Sequence, residues 1–227
     1  MTDTWSVFDV IGPVMVGPSS SHTAGACTLG YMARQIFGEQ PERVRLQLHG
    51  SFGEVYVGHY TDKAIIGGLL EMLPSNDKII KAEELAQEAG MDIIIEPVDL
   101  GSHFHPNTVK FILESKNKQQ EITGASLGGG KVEITEIDKL ETSLDGAYSS
   151  LLICYNNTQQ FDLAQVLQLI TQRGATIART DTSRYKNRSL IAMEIREWFE
   201  PEIIPKTEEI QGVLWARFLN HISHYEY

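Results

Sequence analysis

Apolar positions recur along this chain with two rhythms, and the changes of rhythm mark its elements. Ala26, Leu29, Gly30, Ala33, Ile36 and Phe37 keep one face of a 3.6-residue period small or apolar, which predicts a helix ending at Gly38. Residues 43–49 alternate polar and apolar, as a half-buried strand does. A further helix is predicted with Thr61 or Asp62 as its cap, Ile65, Leu69, Met72 and Leu73 as its apolar face and Pro74 as its stop. Residues 81–89 read as a charged surface helix closed by Gly90, and 92–96 as a buried strand halted by Pro97. Antiparallel strands are predicted at 109–113 and 121–126, joined by the polar segment 115–120. The glycine triplet 128–130 is a tight turn into a strand at 131–137. Ahead of all these, residues 6–16 form a mostly apolar lead-in, extended or a single helical turn.

The last third of the chain has a more regular pattern. A strand at 150–155 is followed by an amphipathic helix marked by Leu163, Val166, Leu167 and Ile170, which Gly174 ends. Strands at 176–180 and 190–195 flank a turn at 184–187. A short helix at 202–210 tolerates Pro205 only in its first turn, and a strand at 213–218 follows. This βαββαβ order is the ferredoxin-like arrangement. Residues 139–146 mark the division, so the chain reads as an α+β protein with domains at 1–146 and 147–227.

Composition narrows the possibilities. The 227 residues are 42% hydrophobic and 22% charged, ordinary for a globular protein with room for one large or two small domains. A net charge of -11, without a cluster of Lys and Arg, argues against a nucleic-acid surface. No segment approaches the ~20 apolar residues of a membrane span, and the first residues carry no leader pattern. A cytoplasmic protein is expected. Cys27 and Cys154 are the only cysteines, far apart and outside any metal-type pair, which points to a reducing compartment and no disulfide framework.

Chemistry concentrates in two stretches. Gly17-Pro18-Ser19-Ser20-Ser21-His22-Thr23-Ala24-Gly25 joins a rigid turn, hydroxyls and an imidazole just before the first helix. Free amides and the positive helix end there attract a carboxylate and disfavour a charged imidazole, leaving His22 able to take a proton. The competing reading is a well-capped helix with His22 as a polar neighbour. Gly58-His59-Tyr60-Thr61-Asp62 repeats the logic before the next helix. Two histidines in matching positions fit acid–base chemistry, where one group takes a proton and another orients or returns it. Alone, His59 would read as a loop residue bonded to backbone. His103 and His105 in the loop 100–108 lack a third ligand, and Pro106 argues for a turn; Asn107 is the member expected to meet a ligand.

Residues 17–25, 50–62, His105-Pro106-Asn107 and Gly128-Gly129-Gly130-Lys131 together resemble the β subunit of the bacterial two-chain, iron–sulfur-dependent L-serine dehydratases. The C-terminal βαββαβ segment resembles the ACT domain of that subunit. The resemblance covers essentially the whole chain. It implies a pyridoxal-free lyase that makes pyruvate and ammonia from L-serine with a 4Fe-4S cluster. It also implies that His22 and His59 take part in proton transfer, with Ser20, Ser21, Thr23, Thr61 and Asn107 near the substrate. Two distant cysteines are too few for a cubane, so the cluster is expected on a partner α subunit, and no metal ligand is expected here. ACT domains often carry a glycine after their first strand. The corner here, residues 155–162, has none, which favours a homodimerisation module over a serine site. A free-standing amino-acid sensor and a purely structural partner of the α chain are the competing functions.

Overall fold

The computed structural model describes residues 14–196 and 202–222. The predicted lead-in at 6–16 therefore lies outside the described residues except at its end, where the Val16 amide donates to the Pro74 carbonyl at 2.9 Å. Two compact units divide the chain, the first running to Thr135 and the second from Glu136 to Ile222.

In the first unit, a π-helical turn at Ser20–Gly25 leads directly into α1, Ala26–Phe37, which ends on Gly38 in the left-handed region. Strand β1 spans Arg43–His49, helix α2 Ser51–Val55 and α3 Thr61–Leu69. After a short 3-10 turn come α4, Ala82–Glu88, and β2, Asp92–Val98. Strands β3, Thr108–Glu114, β4, Gln119–Gly128, and β5, Lys131–Ile137, follow. They lie in one sheet in the order β2-β1-β3-β4-β5, with β1 parallel to β2 and antiparallel to β3.

The period-two pattern of β1 separates the faces of this sheet. Val44, Leu46 and Leu48 are buried with Phe111, Leu113 and Ile122, and α1 and α3 bury Leu29, Met32, Ile36, Ile65 and Leu69. On the other face Arg43 pairs with Glu114 at 2.9 Å and Arg45 with Glu96 at 3.3 Å. Helices α1 and α3 cross in backbone contact. A Cβ on Gly30 would stand 2.2 Å from the Ile65 carbonyl oxygen, and one on Gly68 2.0 Å from that of Cys27.

Three sequence expectations change here. Helix α3 stops at Leu69 rather than Leu73; the chain reverses through Leu70 and Glu71, the latter at φ 62, with the Met72 amide returning to the Gly67 carbonyl. Neither Thr61 nor Asp62 caps it: Tyr60 holds the cap position at φ 58, and Asp62 accepts from the next amide, Lys63, at 2.8 Å. Strand β2 is neither buried nor halted by Pro97. It is the sheet edge, where Ile94 is 46% exposed and a proline in register with Leu48 withholds no needed donor.

In the second unit, residues 136–137 turn through Asp138 and Lys139, both at positive φ, into β6, Leu140–Leu144, where the sequence reading saw only a boundary. The remaining elements are β7, Ser149–Asn156; α5, Leu163–Thr171; β8, Ile177–Tyr185; β9, Arg188–Ile195; α6, Ile203–Glu208; and β10, Val213–Leu219. The four strands β10-β7-β9-β8 form one antiparallel sheet. Strand β8 runs five residues past its predicted end, because the turn needs only Lys186, at φ 55, and Asn187. Leu151, Ile153, Ile191 and Met193 meet Val166, Ile170 and Ile203 of the helices in one apolar cluster.

Candidate functional site

The two histidine stretches meet in the first unit. Ser19, in extended conformation, starts the π-helical turn and its Oγ accepts the His22 amide at 3.2 Å. The wider turn is a form found often at functional sites, and here it carries His22. Strand β1 delivers Ser51 and Phe52 from the other side, at the carboxyl end of a parallel strand pair, where α/β sheets commonly bind ligands.

The His22 ring is held all round. Its Nδ1 lies 3.1 Å from Ser21 Oγ and 3.4 Å from Ser19 Oγ, its Nε2 3.1 Å from Ser51 Oγ. Phe52 packs edge-on with ring centroids 5.3 Å apart, and the His59 ring stands 5.2 Å away, tilted by 42°. Burial lowers the His22 pKa from its ordinary 6.5, the neighbouring His59 lowers it further, and Ser51 works weakly in the opposite direction. The neutral imidazole expected from the helix end is thus obtained from desolvation and a second imidazole.

His59 donates its amide to the Val55 carbonyl at 3.1 Å, while its buried Nδ1 has no protein partner. A buried nitrogen without a partner is costly, and this one is left unsatisfied by the protein. Thr23 is fully buried and its Oγ1 donates to the His59 carbonyl at 3.2 Å. Thr61 is fully buried as well, with an unpaired Oγ1. Ser20 and Ser21 are half-buried within the same turn.

The loop predicted at 100–108 bonds to backbone as expected: His105 Nδ1 accepts the Asn107 amide at 3.1 Å. Asn107 joins the region through its neighbours. The Phe52 amide donates to the Pro106 carbonyl at 3.3 Å, and Asn107 Nδ2 donates to the Ser126 carbonyl at 3.4 Å. Ser126 Oγ, buried and unpaired, presses on Gly25. Ser51 and Ser126 escaped the sequence reading. A Gly-Ser step at the end of β1 was a usable signal for Ser51, whereas Ser126 lies inside a strand with nothing in the sequence to mark it.

The two cysteines are buried in separate units. Cys27 is buried with its thiol pushed up to about 12 and its Sγ donating to the Met72 carbonyl, and Cys154, in the second unit, is pushed up to about 11. No group of three or more His, Cys, Asp or Glu among the described residues could hold a metal ion.

A mixed sheet carries two half-buried imidazoles side by side, one of them, His22, ringed by serine hydroxyls. Residues 6–97 match the model of the family described as serine dehydratase beta chain. Over 211 residues the chain is 37% identical to a probable L-serine dehydratase beta chain of Bacillus subtilis strain 168, covering 92% of this chain and 95% of that one. Over 196 residues it is 38% identical to the L-serine dehydratase beta chain of Peptoniphilus asaccharolyticus, 86% and 87% being covered. An L-serine dehydratase of Helicobacter pylori strain J99 is 28% identical over 194 residues, which are 76% of this chain and 42% of that longer one. The chain belongs to the serine dehydratase beta chain family.

Proposed function

We infer that this chain is the β subunit of a two-chain L-serine dehydratase, a lyase that converts L-serine to pyruvate and ammonia. The observation that carries this is its 37% identity to a protein named as such a beta chain, across 95% of that protein's length. The Helicobacter relative supports the α partner, since this chain spans 42% of it and the rest provides the length for a second catalytic part.

In our reading, His22 and His59 carry the proton transfers. The α-proton of serine passes to an imidazole, the β-hydroxyl leaves as water, and the resulting aminoacrylate tautomerises and hydrolyses to pyruvate and ammonia. His22 suits the role of acceptor because burial and its neighbour keep it neutral, with hydroxyls at both nitrogens to fix the ring. Ser20, Ser21, Thr61 and Asn107 line or support the place of the substrate. The 4Fe-4S cluster belongs on the α chain in this reading. What supports that is the absence here of a usable set of thiolates.

We read the second unit as an ACT domain that pairs two copies of the chain. The strand order β10-β7-β9-β8 supports this, as does its first corner, where Tyr155 stacks on Phe161 at 4.2 Å and Asn157 Nδ2 donates to Ser189 Oγ at 3.1 Å, leaving no open glycine turn. A cytoplasmic location agrees with two free cysteines, and no helix of the described residues is long and apolar enough to cross a membrane.

The test is serine-dependent pyruvate formation under anaerobic conditions by this chain alone, by the α chain alone and by the mixture. Turnover is expected only in the mixture. His22→Ala and His59→Ala should each lower kcat by about 10²-fold or more, the usual reach of acid–base catalysis. Near-normal rates in both variants would leave only a structural role. Serine binding by this chain with no turnover in any mixture would make it a sensor.

A further inference from the structure

Thr23 follows His22 in sequence, yet its side chain serves the other histidine. It is fully buried, and its hydroxyl donates to the His59 carbonyl at 3.2 Å while its amide donates to the Ser19 carbonyl at 2.8 Å. Behind it the chain passes so closely that a Cβ on Gly17 would stand 2.4 Å from Thr23 Oγ1 and 2.5 Å from Cγ2. Both halves of the side chain are therefore used, the methyl in packing and the hydroxyl in a bond.

The segment that this bond reaches is otherwise under strain. The His59 amide is tied to Val55, and Tyr60, an aromatic residue, sits at φ 58, where bulky side chains are rarely found. A backbone held in such a region persists because its surroundings over-determine it. The Thr23 hydroxyl is the side-chain bond that fixes the peptide between His59 and Tyr60 from the motif that carries His22.

We propose that Thr23 is a positioning residue that sets the spacing of the His22 and His59 imidazoles, and that it does not contact the substrate. Its one hydroxyl proton is committed to a carbonyl, and none of its surface is open to an amino acid. This rests on reading the two imidazoles as the proton-transfer pair, and it deepens that reading by giving the 5.2 Å separation of the rings a cause. Around His22 stand the hydroxyls of Ser19, Ser21 and Ser51, the ring of Phe52 and, as the one neighbour whose charge acts on it, His59.

The experiment compares Thr23→Val, which keeps the shape and drops the bond, with Thr23→Ser, which keeps the bond. Each is placed in the full chain and assayed with the α partner. Thr23→Val should lower kcat about tenfold with KM unchanged, since a misplacement of about 1 Å costs up to ~10²-fold. Its acid limb in kcat/KM should move up toward the ordinary imidazole value as His59 draws away. Thr23→Ser should stay close to the parent on both counts. An NMR titration of His22 in the chain alone gives the same comparison without turnover. A raised KM with kcat retained would make Thr23 a substrate contact, and a valine variant equal to the parent in rate and in His22 titration would remove its role. Should the valine variant not fold, Thr23→Ala against Thr23→Ser decides by the same two readouts. Failure of the proton-transfer reading itself shows separately, as normal turnover of the histidine variants.

Discussion

The crossing of α1 and α3 makes a demanding test of how packing reaches the site, because the two histidine motifs lie at the amino ends of these helices. A Cβ added at Gly68 would stand 2.0 Å from the Cys27 carbonyl oxygen and 2.6 Å from the Tyr31 amide nitrogen. A tolerable carbon–oxygen approach is about 3.3 Å, so the helices must separate by roughly 1.3 Å, since both obstacles are backbone. Overpacking of this kind costs about 1–3 kcal/mol, against which alanine recovers up to about 1 kcal/mol of helix propensity over glycine. For a chain of this size each kcal/mol moves the Tm by roughly 2–4 °C. Gly68→Ala should therefore melt several degrees lower, and with the α chain it should lose about tenfold or more in kcat as the imidazole pair is disturbed. Gly67→Ala is the internal control. Its Cβ would meet only the Ile79 and Met72 side chains, at 3.0 and 3.7 Å, which can yield. Thermal unfolding by circular dichroism and pyruvate assays of the reconstituted complex provide the readouts. If the two alanine variants prove equally stable and equally active, the close crossing does not position the site.

Acid should weaken the fold through His22. Its folded pKa lies below the ordinary 6.5, so the unfolded chain binds the proton first and stability falls as pH drops from 6.5 through the folded value. His22→Gln should flatten that part of a stability-versus-pH curve measured by urea unfolding; an unchanged slope would place the effect elsewhere. The thiols offer a separate check on burial. With Cys27 held at about 12 and Cys154 at about 11, neither should react with an alkylating reagent at pH 8 in the native chain, and both should react in denaturant. Rapid native labelling of Cys27 would contradict its placement against the Met72 carbonyl.

Much of this protein could be read from local pattern. The 3.6-residue period of α1, the alternation of β1 and the β7-to-β10 rhythm are consequences of burying one face, so they appear in sequence wherever that face is apolar. The two histidine motifs were equally visible, because glycine, hydroxyl and imidazole residues crowd together in a mixture that an ordinary turn does not need. Errors fell where a neighbour decided the outcome. Pro97 interrupts nothing because β2 is at the edge, and an edge is a property of the sheet. The stretch at β6 was taken for a boundary because five residues carry too little pattern to announce a strand. Thr61 or Asp62 was expected as a cap, yet Tyr60 takes that position in a left-handed conformation that the local pattern does not announce.

The sequence by itself determined that two imidazoles would each stand before a helix, and that the chain has only two cysteines, far apart. Only the tertiary structure decided that the rings face one another at 5.2 Å, that Ser51 closes the ring of hydroxyls around His22, and that Thr23 belongs to His59. The physical reason is that these contacts join residues 29 to 37 positions apart. Such distances are closed by the sheet and by the backbone contact of two helices, and no local preference of the chain encodes them.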